Sequence, residues 1–267
     1  MTIITIFKYP NSIDQNLFTT LIYCEYLRTL ILNFVKRNLF KHIFFDLDHT
    51  LWDFEKSSEE TLIELYKDFQ LEKRMNAPVE LFVETFRKVN FSLWAQLDNR
   101  EITKKYVREQ RFPLVFEKLG ANPADSPIGM GEEYLRRCPK KANLIEGTIE
   151  VLEYLKDDYQ LHILTNGFQD VQHIKMSHSN IDSYFESVVT AECSGFSKPN
   201  KSMFDYALNL ANAKAEESIM IGDNLNADIK GAIGAGIQAI FFNPDEKDHE
   251  EELLADIKNL NQLIDLL

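Results

Sequence analysis

Asp46 and Asp48 stand one residue apart at the end of the apolar run Ile43-Phe44-Phe45, and His49-Thr50-Leu51 follow them. A short unbroken apolar run reads as a buried parallel strand. Ligands of open α/β sheets bind beyond the carboxyl ends of such strands, so the two acids are badly placed for stability and well placed for chemistry. Their mutual repulsion favours a cation or a shared proton. A carboxylate there can also act as a covalent nucleophile and form an acyl phosphate.

Three further strand ends deliver polar groups toward the same sheet edge. One closes on Thr165-Asn166-Gly167, the next leads into a loop holding Lys198-Pro199, and the last ends at Gly222-Asp223, with Asp228 five residues on. Singly, each is ordinary: a Thr ending a strand or an Asp after a Gly is commonly a helix cap. Together their chemistry fits phosphoryl transfer. Asp46, Asp48 and Asp223 can supply oxygens to Mg²⁺, a hard cation that takes a few carboxylates, waters and substrate phosphate. Asp228 is a fourth metal candidate, as a direct ligand or as a residue that holds Lys198 and a metal-bound water. Asp46 is the expected nucleophile, and Asp48 the group that protonates the leaving oxygen and then deprotonates water. Thr165, Asn166 and backbone N–H groups near Leu47 are expected to bind phosphoryl oxygens, and Lys198 to neutralise charge on the nucleophile and the phosphoryl group.

Strands alternating with helices must position these residues. From Thr148 onward the pattern predicts a helix over Thr148–Lys156, a strand over Gln160–Leu164, a helix over Asp170–Ser179 and a strand over Ser187–Thr190. It continues with helix Lys201–Ala211, strand Ser218–Ile221, helix Leu225–Gly234, strand Gln238–Phe242 and a closing amphipathic helix Glu250–Leu267. Such alternation implies βαβ units and a mainly parallel, doubly wound, Rossmann-like sheet. Segments 57–70, 78–99 and 101–119 instead carry apolar residues at helical spacing, with Pro78, Pro113, Gly120 and Pro123 between and within them. The expected fold class is thus α/β, a Rossmann-like core (39–56 and 140–267) with an inserted α-helical cap (57–139).

The 267-residue chain is 45% hydrophobic and carries a formal charge of −13, which argues against nonspecific nucleic-acid binding. A small phosphorylated substrate responds to the local field and is not excluded. Cys24, Cys138 and Cys193 form neither a zinc pattern nor a disulfide framework, and a reduced, cytoplasmic setting is the simple reading. Residues 1–38 read as an N-terminal extension of unassigned role. Leu17 to Val35 is apolar, but Glu25 and Arg28 interrupt it, so an amphipathic helix or a dispensable extension is expected rather than a membrane span.

The four motifs resemble those of the haloacid dehalogenase superfamily: Asp46-Leu47-Asp48-His49-Thr50, Thr165, Lys198-Pro199, and Gly222-Asp223-Asn224-Leu225-Asn226-Ala227-Asp228. The position of 57–139 is similar to that of the helical cap in one large subgroup, where it closes over the core and shapes the substrate pocket. The resemblance implies that Asp48 marks phosphate chemistry, since true dehalogenases lack an acid there. The segment from Asp46 to Glu55 further resembles the pyrimidine 5′-nucleotidase branch, as do Trp94, Arg100-Glu101-Ile102-Thr103 and Arg108-Glu109-Gln110-Arg111-Phe112. His49 stands where many relatives have Gly, and His is expected in that branch. The implied activity is Mg²⁺-dependent hydrolysis of a nucleoside monophosphate through an aspartyl phosphate. A sugar-phosphate phosphomutase of the same superfamily and a non-catalytic phosphate-binding regulator remain as rivals.

Other residues admit plainer readings. His49 either tunes the site or orients its loop. Trp52 and Phe54 either line a base pocket or pack between core and cap. Arg108 and Arg111 either reach substrate phosphate or base or, as the favoured reading, are solvated helix faces or ion pairs with the acidic surface. His173 and His178 read as surface residues, and Asp170 and Asp205 as helix-start acids.

Overall fold

The computed structural model describes residues 39–267. The extension 1–38, with the Leu17 to Val35 stretch and Cys24, lies outside the described residues. Among the described residues six parallel strands form one sheet: β1 (His42–Phe45), β2 (Gln160–Thr165), β3 (Ser187–Thr190), β4 (Ser218–Gly222), β5 (Gln238–Phe242) and β6 (Ala255–Ile257), in the order β3-β2-β1-β4-β5-β6. β1 pairs in parallel with β2 through Phe45 and Ile163, and with β4 through Phe45 and Ile221. The strand order reverses beside β1, and ligands of such sheets bind at that reversal.

Alternation along each strand sends successive side chains to opposite faces. Ile43 and Phe45 join Leu161, Ile163, Ile219, Ile221 and Ile240 against one layer. Helix α6 (Thr148–Leu155) closes that layer through Val151, Leu152 and Leu155. Phe44 joins Leu164, Val189, Met220 and Phe241 on the other face, with Met203, Phe204 and Ala207 from α9 (Lys201–Leu210). Each such side chain, fully buried, stabilises the fold by roughly 1.5–3 kcal/mol. Helix α7 (Gln169–His178) follows β2, and the short α8 (Ala191–Ser194) follows β3.

Between β1 and α6 the chain is helical: α1 (Phe54–Asp68), α2 (Glu72–Met75), α3 (Val79–Asp98), α4 (Lys104–Lys118) and α5 (Met130–Arg137). Asp53 caps α1 by accepting from the Lys56 N–H, and Thr103 caps α4 by accepting from the Tyr106 N–H; such caps contribute about 1 kcal/mol each. Phe82, Phe86, Phe112, Phe116 and Tyr134 fill the centre of this helical insertion. Its two crossings to the sheet are bound to each other. Asp53 N–H donates to Asn143 O at 3.0 Å and Ile145 N–H to Leu51 O at 2.9 Å, Trp52 and Leu144 form an antiparallel bridge, and Trp52 Nε1 donates to Lys141 O at 3.0 Å.

Two elements differ from the sequence reading. Glu250–Leu267 is not one helix: Ala255–Ile257 is the sixth strand and only α11 (Gln262–Leu266) is helical. The exposed edge of β5 needs partners, and Leu254 N–H to Ala239 O and Asn243 N–H to Ile257 O, at 2.9 and 2.7 Å, supply them. Leu225–Gly234 is a π-helical turn (Leu225–Lys230) running into the short α10 (Gly231–Gly234); single π turns inside helices recur at functional sites. Asp205 lies beyond the first turn of α9 and pairs with Lys201, so it is not a helix-start acid. Among the described residues no helix is long and apolar enough to cross a membrane.

Candidate active site

β1 continues one residue into the site, where Asp46 N–H still donates to Ile221 O at 2.9 Å. The chain then folds into a tight loop. Leu51 and Trp52 N–H both donate to Leu47 O, and His49 N–H donates to Trp52 O. His49 takes a left-handed conformation at φ 65°, which glycine adopts freely and other residues at a cost of roughly 1–2 kcal/mol. The His49 ring rests 5.1 Å from Phe54. The N–H groups of Leu47 and Asp48 donate to no described residue.

Lys198 anchors the centre. It is 2% exposed, and its Nζ lies 2.6 Å from each of Asp46 Oδ1, Leu164 O and Asp228 Oδ1. Burial alone would draw this ammonium down, but Asp228 and Asp46 outweigh it and raise its pKa. The π-helical turn brings Asp228 back under β4, where its Oδ2 accepts from Asn224 N–H at 3.0 Å. Gly222 makes room: a β-carbon there would stand 2.3 Å from Asp228 Oδ2. Asp223, just past β4, accepts from Thr50 Oγ1 at 3.3 Å.

One ligand atom from each of Asp46, Asp223 and Asp228 falls within 4.8 Å of the others. Burial, with Asp228 adding to it against the pull of Lys198, pushes Asp46 up to about 7. Burial and then Asp46 push Asp223 up to about 6. Three carboxylates facing one lysine leave a deficit of positive charge, and an all-oxygen donor set of this size fits a hard divalent cation.

The Asp48 carboxylate is not brought into that cluster. It turns toward α7, where Lys175 Nζ and Gln172 Nε2 donate to its two oxygens at 2.5 and 2.9 Å. Burial raises its pKa, but Lys175, through charge and hydrogen bond, and then Gln172 outweigh burial and hold it below the ordinary carboxylate value. Thr165 is buried, and its Oγ1 accepts from Gly167 N–H at 3.0 Å and from Gln172 Nε2 at 2.8 Å. The Asn166 side chain is taken up by Lys198: its Oδ1 accepts from Lys198 N–H at 2.8 Å and its Nδ2 donates to Lys198 O at 3.1 Å. Asn166 therefore fixes the loop that carries the lysine, and its Nδ2 also reaches Asp98 Oδ1 of the helical insertion at 3.4 Å.

The helical insertion meets the sheet beside Thr165. Trp94 of α3 stacks on Phe168, with ring centroids 5.0 Å apart. Lys104 and Arg108 of α4 also lie over that ring, 4.6 and 4.9 Å from its centroid. Both pair with Asp170, at 3.2 and 2.8 Å, so Arg108 is the expected ion pair. Arg111 is not solvated, and among the described residues it pairs with no acid. It is buried, with its guanidinium 5.7 Å from the Phe86 ring and 5.3 Å from Tyr134, because α4 turns that position into the aromatic centre of the insertion. Trp52 is fully buried, which fits packing rather than a base pocket. His173 and His178 are exposed.

The model of the haloacid dehalogenase-like hydrolases matches residues 40–236. The chain belongs to that family. Family members of known function resemble it over most of their length. The pyrimidine 5′-nucleotidase YjjG of Escherichia coli is 28% identical, over 84% of this chain and 96% of its own. The glyceraldehyde 3-phosphate phosphatase of Pyrococcus furiosus is 31% identical, over 85% of this chain and 92% of its own. Among solved structures, the HAD-hydrolase YfnB of Bacillus subtilis, bound to magnesium, superposes with a TM-score of 0.73 at 28% identity, covering 84% of this chain and 97% of that one.

Reasoning from the sequence missed Gln172 and Lys175. Their signal was present: two polar residues three apart on α7, the helix that follows Thr165, on the same face as the apolar Met176. A polar residue on a buried helix face needs a partner, and Asp48 is that partner.

Proposed function

We propose that the protein is a Mg²⁺-dependent phosphomonoester hydrolase. The observation that carries this reading is the separation of two acids: Asp46 in the carboxylate cluster with Lys198, and Asp48 outside it, tied through Gln172 to the Thr165 hydroxyl. Asp46, Asp223 and Asp228 are the residues to hold the metal, directly or through water. Bound there, the metal would neutralise phosphate charge and keep the clustered acids ionised.

The chain's own residues divide the work. Thr165 and the N–H groups of Leu47 and Asp48 bind phosphoryl oxygens, and Lys198 orients Asp46 and pulls it toward the ionised form against burial. An Asp46 oxygen bonds to phosphorus as the bond to the leaving oxygen breaks. Asp48, ionised before substrate binds, takes up a proton from solvent once the phosphate's negative charge stands beside it and gives that proton to the leaving oxygen. Asp48 then takes a proton from water, whose oxygen bonds to phosphorus as the aspartyl–phosphorus bond breaks. Inorganic phosphate and the Asp46 carboxylate result. The insertion, seated on Phe168, limits water to the second step.

The substrate is a nucleoside monophosphate, with pyrimidine the first choice. The Asp46–Glu55 segment and the 28% identity to a named pyrimidine 5′-nucleotidase support it. The resemblance to a triose-phosphate phosphatase favours a second reading, a small sugar phosphate. A phosphate-release screen over nucleoside monophosphates and sugar phosphates with Mg²⁺ decides between them. Isomerised sugar in place of free phosphate from a hexose phosphate identifies a mutase instead. Unchanged phosphate release in Asp46→Asn refutes the mechanism.

A further inference from the structure

Helix α7 turns two polar side chains inward, and the steps above give neither of them a task. Gln172 is fully buried and Lys175 is 5% exposed. Lys175 Nζ lies 4.5 Å from the centroid of the Trp52 ring and 5.8 Å from that of Phe54. Its ion pair at 2.5 Å is with Asp48 Oδ1. Gln172 Nε2 donates both to Asp48 Oδ2 and to Thr165 Oγ1. One helix therefore holds both oxygens of Asp48, and one amide nitrogen spans from that carboxylate to the Thr165 hydroxyl.

The backbone is shaped around this amide. A β-carbon on Gly167 would stand 1.9 Å from Gln172 Nε2 and 2.5 Å from Cδ. Gly167 has an ordinary φ, so the requirement for glycine there is one of space and not of backbone conformation. Burying an ammonium costs several kcal/mol unless pairing offsets it, and an apolar side chain would fill the same place between Trp52 and Phe54 without that cost. The pair contributes placement instead: it fixes where Asp48 stands relative to a phosphate held on Thr165.

We propose that Gln172 and Lys175 are positioning residues for Asp48, with Lys175 fixing the carboxylate and Gln172 setting its distance from Thr165. Neither touches substrate. The assignment rests on the phosphatase reading above, in which Asp48 protonates the leaving oxygen.

The test uses the leaving group. A nucleoside monophosphate releases an alkoxide that needs a proton, whereas para-nitrophenyl phosphate releases a stable phenolate that does not. The measured quantity is kcat/KM, which reports steps through transfer of the phosphoryl group to Asp46 and omits its release. The variants are Lys175→Met, Lys175→Arg, Gln172→Leu and Gly167→Ala. Gly167→Ala displaces the Gln172 amide and leaves the Lys175–Asp48 pair in place, so it serves where Lys175→Met does not fold. In Lys175→Met, Gln172→Leu and Gly167→Ala, kcat/KM on the nucleoside monophosphate falls about 10²-fold while that on para-nitrophenyl phosphate stays within about threefold. Lys175→Arg keeps the charge and recovers most of the loss. Equal losses on both substrates, or no loss on either, in folded variants of an active wild type overturn the positioning role alone. A wild type inactive on both substrates overturns the phosphatase reading and this assignment with it.

Discussion

Replacing His162 with Gln should flatten the dependence of stability on pH. His162 is buried on β2, stacked on Phe44 with centroids 4.7 Å apart. Its Nε2 lies 3.2 Å from His42 Nδ1, and its Nδ1 is 2.9 Å from Ser187 Oγ. One proton between the two rings satisfies both, and a second would place a charge inside the sheet. Burial, and then His42, lower the His162 pKa from 6.5 to about 4. The native state thus keeps the neutral ring while the unfolded chain takes the proton below pH 6.5. Stability from this group is complete above that value and declines as pH falls toward 4. At roughly 1.36 kcal/mol per pKa unit the decline between about pH 7 and about pH 5 is about 2 kcal/mol. Gln keeps a polar partner for His42 and Ser187 and cannot be protonated. Urea unfolding at the two pH values, wild type against His162→Gln, isolates this contribution because the carboxylates common to both proteins cancel. Equal pH slopes in the two proteins would refute the assignment of a neutral buried ring.

Three other perturbations have definite outcomes. Lys198→Met removes the ammonium shared by Asp46 and Asp228; hydrolysis is lost, and urea titration at neutral pH shows a stability loss of about 3–5 kcal/mol. Gly222→Ala presses a methyl group onto Asp228, and calorimetric titration with Mg²⁺ shows at least about tenfold weaker binding, with unchanged circular dichroism. Asp170→Asn removes the acid that Arg108 pairs with and one of the two that Lys104 pairs with, since Lys104 keeps Glu192 at 2.5 Å. Since these groups are partly exposed, thermal melts register less than about 1 kcal/mol, and the difference shrinks at high salt.

The central strands and the four strand ends were legible because a buried parallel strand needs an unbroken apolar run, and because acids, Thr and Lys at strand ends have few structural uses. Asp46, Asp223, Asp228 and Lys198 converge for that reason. The end of the chain was misread because Leu253, Leu254, Ile257 and Leu260 recur at three- and four-residue spacing, while what decides their state is the unpaired edge of β5, which local periodicity does not record. The sequence reading grouped Asp48 with Asp46 and Asp223 as candidate metal ligands, but its carboxylate lies apart from them. The chain leaves the strand at Leu47 and turns, so strand alternation no longer sets where Asp48 points. Its partners, Gln172 and Lys175, come from more than a hundred residues later. Arg111 was read as a surface charge from residue type, although its helical phase places it beside Phe112 and Val115 in the interior.

Because Asp53, Asn143, Leu51 and Ile145 join the two crossings side by side, the helical insertion is, from the standpoint of the sheet, a loop whose ends already meet. The entropy of closing such a loop grows only as about (3/2)RT ln n, so its contents can lengthen, shorten or be exchanged at little cost to β1 and the acids at its end. Recognition can then change through the insertion while the bond-breaking apparatus stays fixed, and a helical block transplanted from a relative at Asp53 and Asn143 should alter which phosphate ester is chosen without rebuilding the catalytic floor.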